Sequence, residues 1–196
     1  MIKSFKKYIT ESKKVKGVVY HGSGSRFSKF EQSKARIPND FYGGGIAYFT
    51  DNIGVAITYA KSMAKKTKGD PIVYTVELNL NKVFDVDDKF SGKDLVSVLP
   101  NDVEEFARGA GLLGLNSDKF KTISDLKRGN MTLTGDRVFR GLSKGMNQTA
   151  AARSHLIDKG YDGLRYNIIG TKHSAYLAYN ANSIQIKKRQ MVSKKK

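Results

Sequence analysis

The chain contains no cysteine and no tryptophan. Without thiols it can form no disulfide, no thiolate zinc site and no cysteine nucleophile. No apolar run approaches the ~20 residues that span a bilayer, so no membrane partner is expected. Histidine is scarce: His21, His155 and His173 are the three present, and no glutamate occurs after Glu105. No metal site is expected. Residues 1–9 are basic but lack the continuous apolar stretch of a secretory signal. Together these absences predict a soluble, intracellular-type protein.

The 196 residues suffice for one domain with a real core plus tails. Against the scarcities stands an excess of one charge sign. Thirty-five Lys and Arg face 18 Asp and Glu, a formal net charge of +17. Charge of that size favours polyanions through counterion release. Much of it lies at the ends, at Lys13, Lys14 and Lys16, then at Lys187, Lys188, Arg189 and Lys194 to Lys196. Solvated tails and non-specific association with DNA or RNA are both open readings.

Local patterns divide the chain into a tag at residues 1–16, a domain at 17–187 and a basic tail at 188–196. In the tag, Ile2, Phe5 and Ile9 recur at helical spacing among lysines. Residues 17–21 read as a strand, because Val18, Val19 and Tyr20 are β-formers. Residues 23–40 read as a loop anchored by Phe27 and Phe30. Gly43, Gly44 and Gly45 open a short strand through Phe49. A helix is predicted over about 52–66, with a stripe of Ile53, Ala56, Ile57, Ala60 and Met63 and with Asp51 as its cap. Residues 71–80 alternate as a strand. Helices are predicted at 92–99, 101–110, 117–127 and 134–144, so that 85–147 is mostly helical. A further helix at 149–159 ends at Gly160. Strands follow at 161–166, 174–179 and 183–187. Strands around helical inserts predict a mixed α+β domain.

One constellation carries chemistry. Tyr20-His21-Gly22-Ser23 presents a histidine at a strand end. Gly44-Gly45-Ile46-Ala47-Tyr48-Phe49-Thr50-Asp51 brings a tyrosine after a glycine run, and Tyr59 follows eleven positions after Tyr48. One histidine and two tyrosines, with backbone close by, suit a flat aromatic cation joined to a ribose. Such a ring gains roughly 0.5–2 kcal/mol per aromatic face. Taken singly, His21 reads as a structural histidine, Tyr48 and Tyr59 as core aromatics, and the glycines as an ordinary turn; only their combination favours the pocket.

The order Tyr-His-Gly, Gly-x-Tyr-Phe-Thr-Asp, Ala-x-x-Tyr-Ala resembles the ADP-ribosyltransferase fold, in its diphtheria-toxin/PARP-like branch with a His-Tyr-Glu signature. The closing pieces, Tyr161-Asp162-Gly163 and Tyr176-Leu177-Ala178-Tyr179-Asn180, resemble that family's last strands, and the resemblance spans residues 17–187. It implies split antiparallel sheets with helical insertions. It implies NAD as substrate, with His21 and Tyr48 as catalytic residues and His21, Gly22, Ser23, Tyr48, Phe49 and Tyr59 as the binding set. In that scheme His21 contacts the adenosine ribose, the Gly22 backbone holds the carboxamide, and Tyr48 and Tyr59 sandwich the nicotinamide.

The chain departs from this family at two places. The catalytic Glu belongs where Ser174, Ala175 and Tyr176 stand, and a nicotinamide-contacting serine belongs at Ala56. Chain elongation is therefore not expected. Mono-transfer to a host protein or nucleic acid needs a carboxylate from the target, from Asp162 or from another acid. The alternative is a weak or inactive transferase fold kept as a DNA-associated internal head protein. His173, beside the missing acid, is either a substrate contact or an exposed loop residue. A third possibility, an RNA 2′-phosphotransferase, needs further pocket histidines, and His155 falls in a predicted helix. Residues 1–11 are similar to capsid-targeting tags of T4-like phages, with Ile9-Thr10-Glu11 as a cleavage triplet cut after Glu11. That similarity implies a virion interior, then a host cytoplasm; otherwise the protein is expected in the cytoplasm.

Overall fold

The alternation at residues 71–80 folds as a long central strand. In the computed structural model, which describes residues 13–31, 42, 44–115 and 117–193, this strand is β3 (Ile72–Leu80). It buries Ile72, Tyr74, Val76, Leu78 and Leu80. The strand β1 (Val15–Ser23) pairs antiparallel along its whole length, from Val15↔Leu80 to Ser23↔Ile72. It is thus longer at both ends than the expected 17–21, and Val15 and Lys16 belong to the sheet rather than to a tag. The rest of the tag, residues 1–12, lies outside the described residues.

β2 (Ala47–Thr50) meets β1 at the registered pair Tyr20↔Thr50. On its other side it pairs antiparallel with β8 (Ser174–Ala178), which pairs with β7 (Gly163–Asn167). β4 (Val83–Asp85) completes that edge, and β9 (Ile184–Met191) completes the other beside β3. The order is β4-β7-β8-β2-β1-β3-β9. The expected split is visible as a seam: the halves on either side of Tyr20↔Thr50 join through one registered pair. The sheet is not wholly antiparallel, because β4 and β7 run parallel. β9 runs to Met191, beyond the expected 183–187, so residues 188–191 are strand and not tail.

The helix α1 (Ile53–Thr67) lies across β1 and β3. Its buried residues are Ala56, Ala60 and Ala64, a narrower stripe than the larger side chains suggested, and Ile53 is exposed. Close approach explains this. A Cβ on Gly22 would stand 2.2 Å from the Ala56 carbonyl oxygen and 2.7 Å from the Ala60 nitrogen. Small residues on both sides let the helix backbone rest on the strand. The cap is Asn52, whose side chain accepts from Val55 N–H, and not Asp51.

The middle segment is helical, as expected: α2 (Gly92–Val98), α3 (Val103–Gly109), α4 (Lys119–Arg128) and α5 (Gly135–Leu142). Asp102, Asp118 and Thr134 cap the last three. A two-stranded ribbon, β5 (Lys89–Ser91) with β6 (Thr132–Thr134), joins them, and α6 (Thr149–Asp158) follows. These three-residue strands and β4 are too short to show a period in the sequence. Phe106, Leu126, Phe139 and Leu156 build the helical core, which continues onto Leu164 of β7 and Leu177 of β8. A second core of Val19, Phe49, Tyr74 and Val76 lies around β1, β2 and β3.

Candidate active site

Past Tyr20↔Thr50 a cavity of about 400 Å³ separates the two strands. One wall is His21, Gly22 and Ser23 of β1. The facing wall is Gly45, Ile46, Ala47 and Tyr48. Tyr59 and Met63 of α1 close one end, and Arg26, Lys29, Phe30 and Glu31 of the loop after β1 close another. The fold therefore brings His21, Gly22, Ser23, Tyr48 and Tyr59 to one place, across 38 residues of sequence.

His21 is held from several sides. Its Nδ1 lies 2.8 Å from the Tyr48 carbonyl oxygen, a bond that crosses the seam. Rings of Phe27, Phe30, Phe49 and Tyr74 stand 5.3–6.1 Å from the imidazole. Burial among them pushes the imidazole pKa down, opposed by the bond to Tyr48. A carbonyl only accepts, so Nδ1 donates and carries the ring proton. The neutral ring then keeps Nε2 as an acceptor, suited to a hydroxyl in the cavity.

The cage explains the loop aromatics. Phe27 stacks on Tyr74 at 4.2 Å and 12°, and its N–H donates to the Tyr74 hydroxyl at 2.8 Å. Phe49 is corrected from the binding set. It is 2 % exposed and is not among the cavity's lining residues, and it backs His21 instead. Tyr59 is half exposed on α1, whereas Tyr48 packs against the helical core. Ser23 closes a turn, its Oγ accepting from Ser25 N–H and donating to Ser25 O.

The region of the missing acid is filled by other chemistry. Ala175 is buried, in register with Thr50 and Tyr166. Ser174 N–H donates to Asp51 Oδ2, and Ser174 Oγ accepts from Arg165 Nη2 at 2.9 Å. Arg165 also pairs with buried Asp85, which Lys13 reaches at 3.0 Å. None of these residues lines the cavity. Asp162 is removed as a replacement acid, since its carboxylate accepts from Asn81 N–H and Lys82 N–H and holds the β3–β4 turn. His173 is neither a cavity residue nor a free loop group. Its Nε2 accepts from Asn52 Nδ2 at 2.7 Å, and its Nδ1 faces Asp51 at 3.4 Å. His155 lies on α6 and donates from Nε2 to the Val98 carbonyl.

Arg26, Lys29 and Glu31 are cavity residues that the sequence reading passed over. The available signal was three charges interleaved with Phe27 and Phe30, in Arg26-Phe27-Ser28-Lys29-Phe30-Glu31, shortly after the histidine strand. Among the described residues Glu31 is the single carboxylate of the lining, and Lys29 lies 3.9 Å from it. Among the described residues, no three His, Asp or Glu side chains are grouped to hold a metal ion. No described helix is long and apolar enough to cross a membrane.

No curated protein and no solved structure matches the chain. A family model does: the ADP-ribosyltransferase of polyvalent proteins matches residues 16–191, from the first residues of β1 to the last of β9. With the histidine strand, the tyrosine strand and the seam between them inside that match, the chain belongs to the ADP-ribosyltransferase family of polyvalent proteins.

Proposed function

We propose that the protein is an NAD-dependent mono-ADP-ribosyltransferase. The observation that carries this is the convergence of His21, Tyr48 and Tyr59 on one cavity. The cavity volume falls in the range of small-molecule sites, roughly 300–1,000 Å³. Its lining has what each part of NAD needs. Tyr48 and Tyr59 offer aromatic faces for the nicotinamide cation. His21 Nε2 offers an acceptor for a ribose hydroxyl. Arg26 and Lys29 offer positive charge for the diphosphate.

The reaction breaks the glycosidic bond between the nicotinamide nitrogen and ribose C1′. The bonding pair leaves with nicotinamide. A lone pair of the acceptor forms the new bond at C1′, and the acceptor's proton passes to solvent. The residues assist by holding the substrate so that positive charge develops at C1′ beside acceptors. With Ser174, Ala175 and Tyr176 where the family's acid belongs, Glu31 is the carboxylate that the described lining offers for this task. One transfer per target is the expected outcome.

A second reading rests on the absence of a glutamate at Ser174, Ala175 and Tyr176. Without the acid, the domain serves as a DNA-associated internal head protein of a phage. The targeting tag and the cleavage after Glu11 that support a virion and host-cytoplasm location fall in residues 1–12, outside the described residues. The two readings separate on NAD. The first predicts a rise in melting temperature with NAD that His21→Ala abolishes, and NAD consumption with host lysate. Neither shift nor consumption would leave the second.

A further inference from the structure

Three residues distant in sequence form one row across the sheet. Tyr74 of β3 stands opposite His21 of β1 and opposite Arg189 of β9. Residues directly opposite on paired strands share a face. Against this face runs the loop after β1, which gives Arg26, Lys29 and Glu31 to the cavity wall. Among the described residues, no backbone-to-backbone hydrogen bond anchors residues 25–31. Ser25 and Arg26 also line a second cavity, so the chain there has open space on two sides. Side chains of the row supply the anchors that the backbone lacks. The Tyr74 hydroxyl accepts from Phe27 N–H at 2.8 Å. Its single proton faces the carbonyl oxygens of Ser25 at 3.2 Å and Phe27 at 3.4 Å. Arg189 Nη2 donates to the Ser28 carbonyl at 3.3 Å. Tyr74 itself is fully buried and does not line the cavity.

We propose that Tyr74 is a positioning residue of the NAD site. Its hydroxyl fixes the loop at Ser25 and Phe27, and so sets Arg26 and Lys29 where the dinucleotide's diphosphate passes; Arg189 is the second tie. The inference rests on the NAD reading for its ligand. Arg26 lies between the two residues bonded to one oxygen, so its backbone is ordered before a ligand arrives. Ordering in advance removes a cost that binding would otherwise meet. Without the hydroxyl, Phe27 N–H loses its acceptor, and ring contacts and Arg189 alone hold the loop. The nicotinamide and its ribose face His21, Tyr48 and Tyr59, which stand on strands and a helix and not on this loop. The effect of Tyr74 therefore falls on the phosphates.

The test is Tyr74→Phe, which keeps the ring packed against His21 and Phe27 and removes only the hydroxyl. Amide hydrogen exchange at Phe27, measured without ligand, is expected to be about tenfold faster in the variant. Calorimetric titration is expected to show NAD bound roughly 3–10-fold more weakly. Nicotinamide riboside, which has no phosphate, is expected to bind both proteins equally. Arg26→Gln is expected to cost less NAD affinity in the Tyr74→Phe background than in wild type, because one residue acts through the other. Arg189→Gln cuts the second tie from an exposed position outside the cavity lining. Should Tyr74→Phe not fold, faster Phe27 exchange and weakened binding of NAD alone in Arg189→Gln support the proposal, and wild-type behaviour overturns it. Unchanged exchange at Phe27, equal weakening for NAD and the riboside, or additive losses with Arg26→Gln overturn the positioning role while leaving the NAD reading intact. If wild type binds neither ligand, the NAD reading falls and the phosphate role falls with it.

Discussion

The Nδ1 of His21 hydrogen-bonds the backbone carbonyl of Tyr48 at 2.8 Å, one step past the residue pair that joins the two halves of the sheet. Where the strand ladder ends, a side chain continues it. The bond fixes which nitrogen carries the proton. It also couples the histidine strand to the tyrosine strand, so the cavity's two walls are positioned together. His21→Ala removes both the Nε2 acceptor and this bridge.

The His21 environment predicts a pH dependence. Burial lowers its pKa below the ordinary value of 6.5. The unfolded chain therefore binds a proton at higher pH than the folded one. The stability contributed by neutral His21 is full above about pH 6.5 and falls as pH drops from there toward the folded pKa. Melting temperatures of wild type and His21→Asn, measured from pH 8 to pH 5, are expected to show a steeper acid decline in wild type. Parallel curves would deny the burial effect.

Gly22 is required by packing as well as by any ligand. Gly22→Ala places a Cβ against the Ala56 and Ala60 backbone, which cannot swing away. The expected loss is about 1–3 kcal/mol or more in chemical denaturation. A loss below about 0.5 kcal/mol, within the range of surface substitutions, would show that α1 does not rest on β1 as described.

Glu31 is the one acid among the described residues of the cavity lining. Glu31→Gln keeps its size and removes its charge. NAD consumption is expected to fall at least tenfold, an effect of about 1.4 kcal/mol on the barrier, with NAD binding retained in the melting assay. Unchanged turnover would show that the carboxylate comes from the acceptor.

Asp85 anchors the far edge, buried between Arg165 and Lys13. Asp85→Ala leaves a half-buried guanidinium without its partner. A loss of about 3 kcal/mol in urea denaturation is expected, with NAD affinity in any folded fraction unchanged because Asp85 does not line the cavity. A stable variant with weakened NAD binding would place this cluster in the site.

Much of this was legible in the sequence, and the failures have physical causes. The alternation of β3 and the four middle helices showed their periods. His21, Tyr48 and Tyr59 could be paired because short motifs bracket them in order. Phe49 was misplaced because period-2 alternation turns it to the opposite face from Tyr48, behind His21 and out of the cavity lining. Asp162 looked available because its partners are backbone N–H groups of residues 81 and 82, invisible to pattern reading. The meeting of Arg26 and Arg189 at a second cavity was unreadable. They lie 163 residues apart and come together because β1 and β9 both pair with β3. Terminal charge drew attention to the tail instead.

The most direct test of the central claim is incubation with NAD labelled in its adenylate moiety, in host lysate supplemented with nucleic acid, for wild type beside Tyr48→Ala. The account predicts label transferred to a macromolecule and nicotinamide released by wild type, with both lost in the variant. No transfer and no nicotinamide release by folded wild type, or equal transfer by the variant, would contradict it.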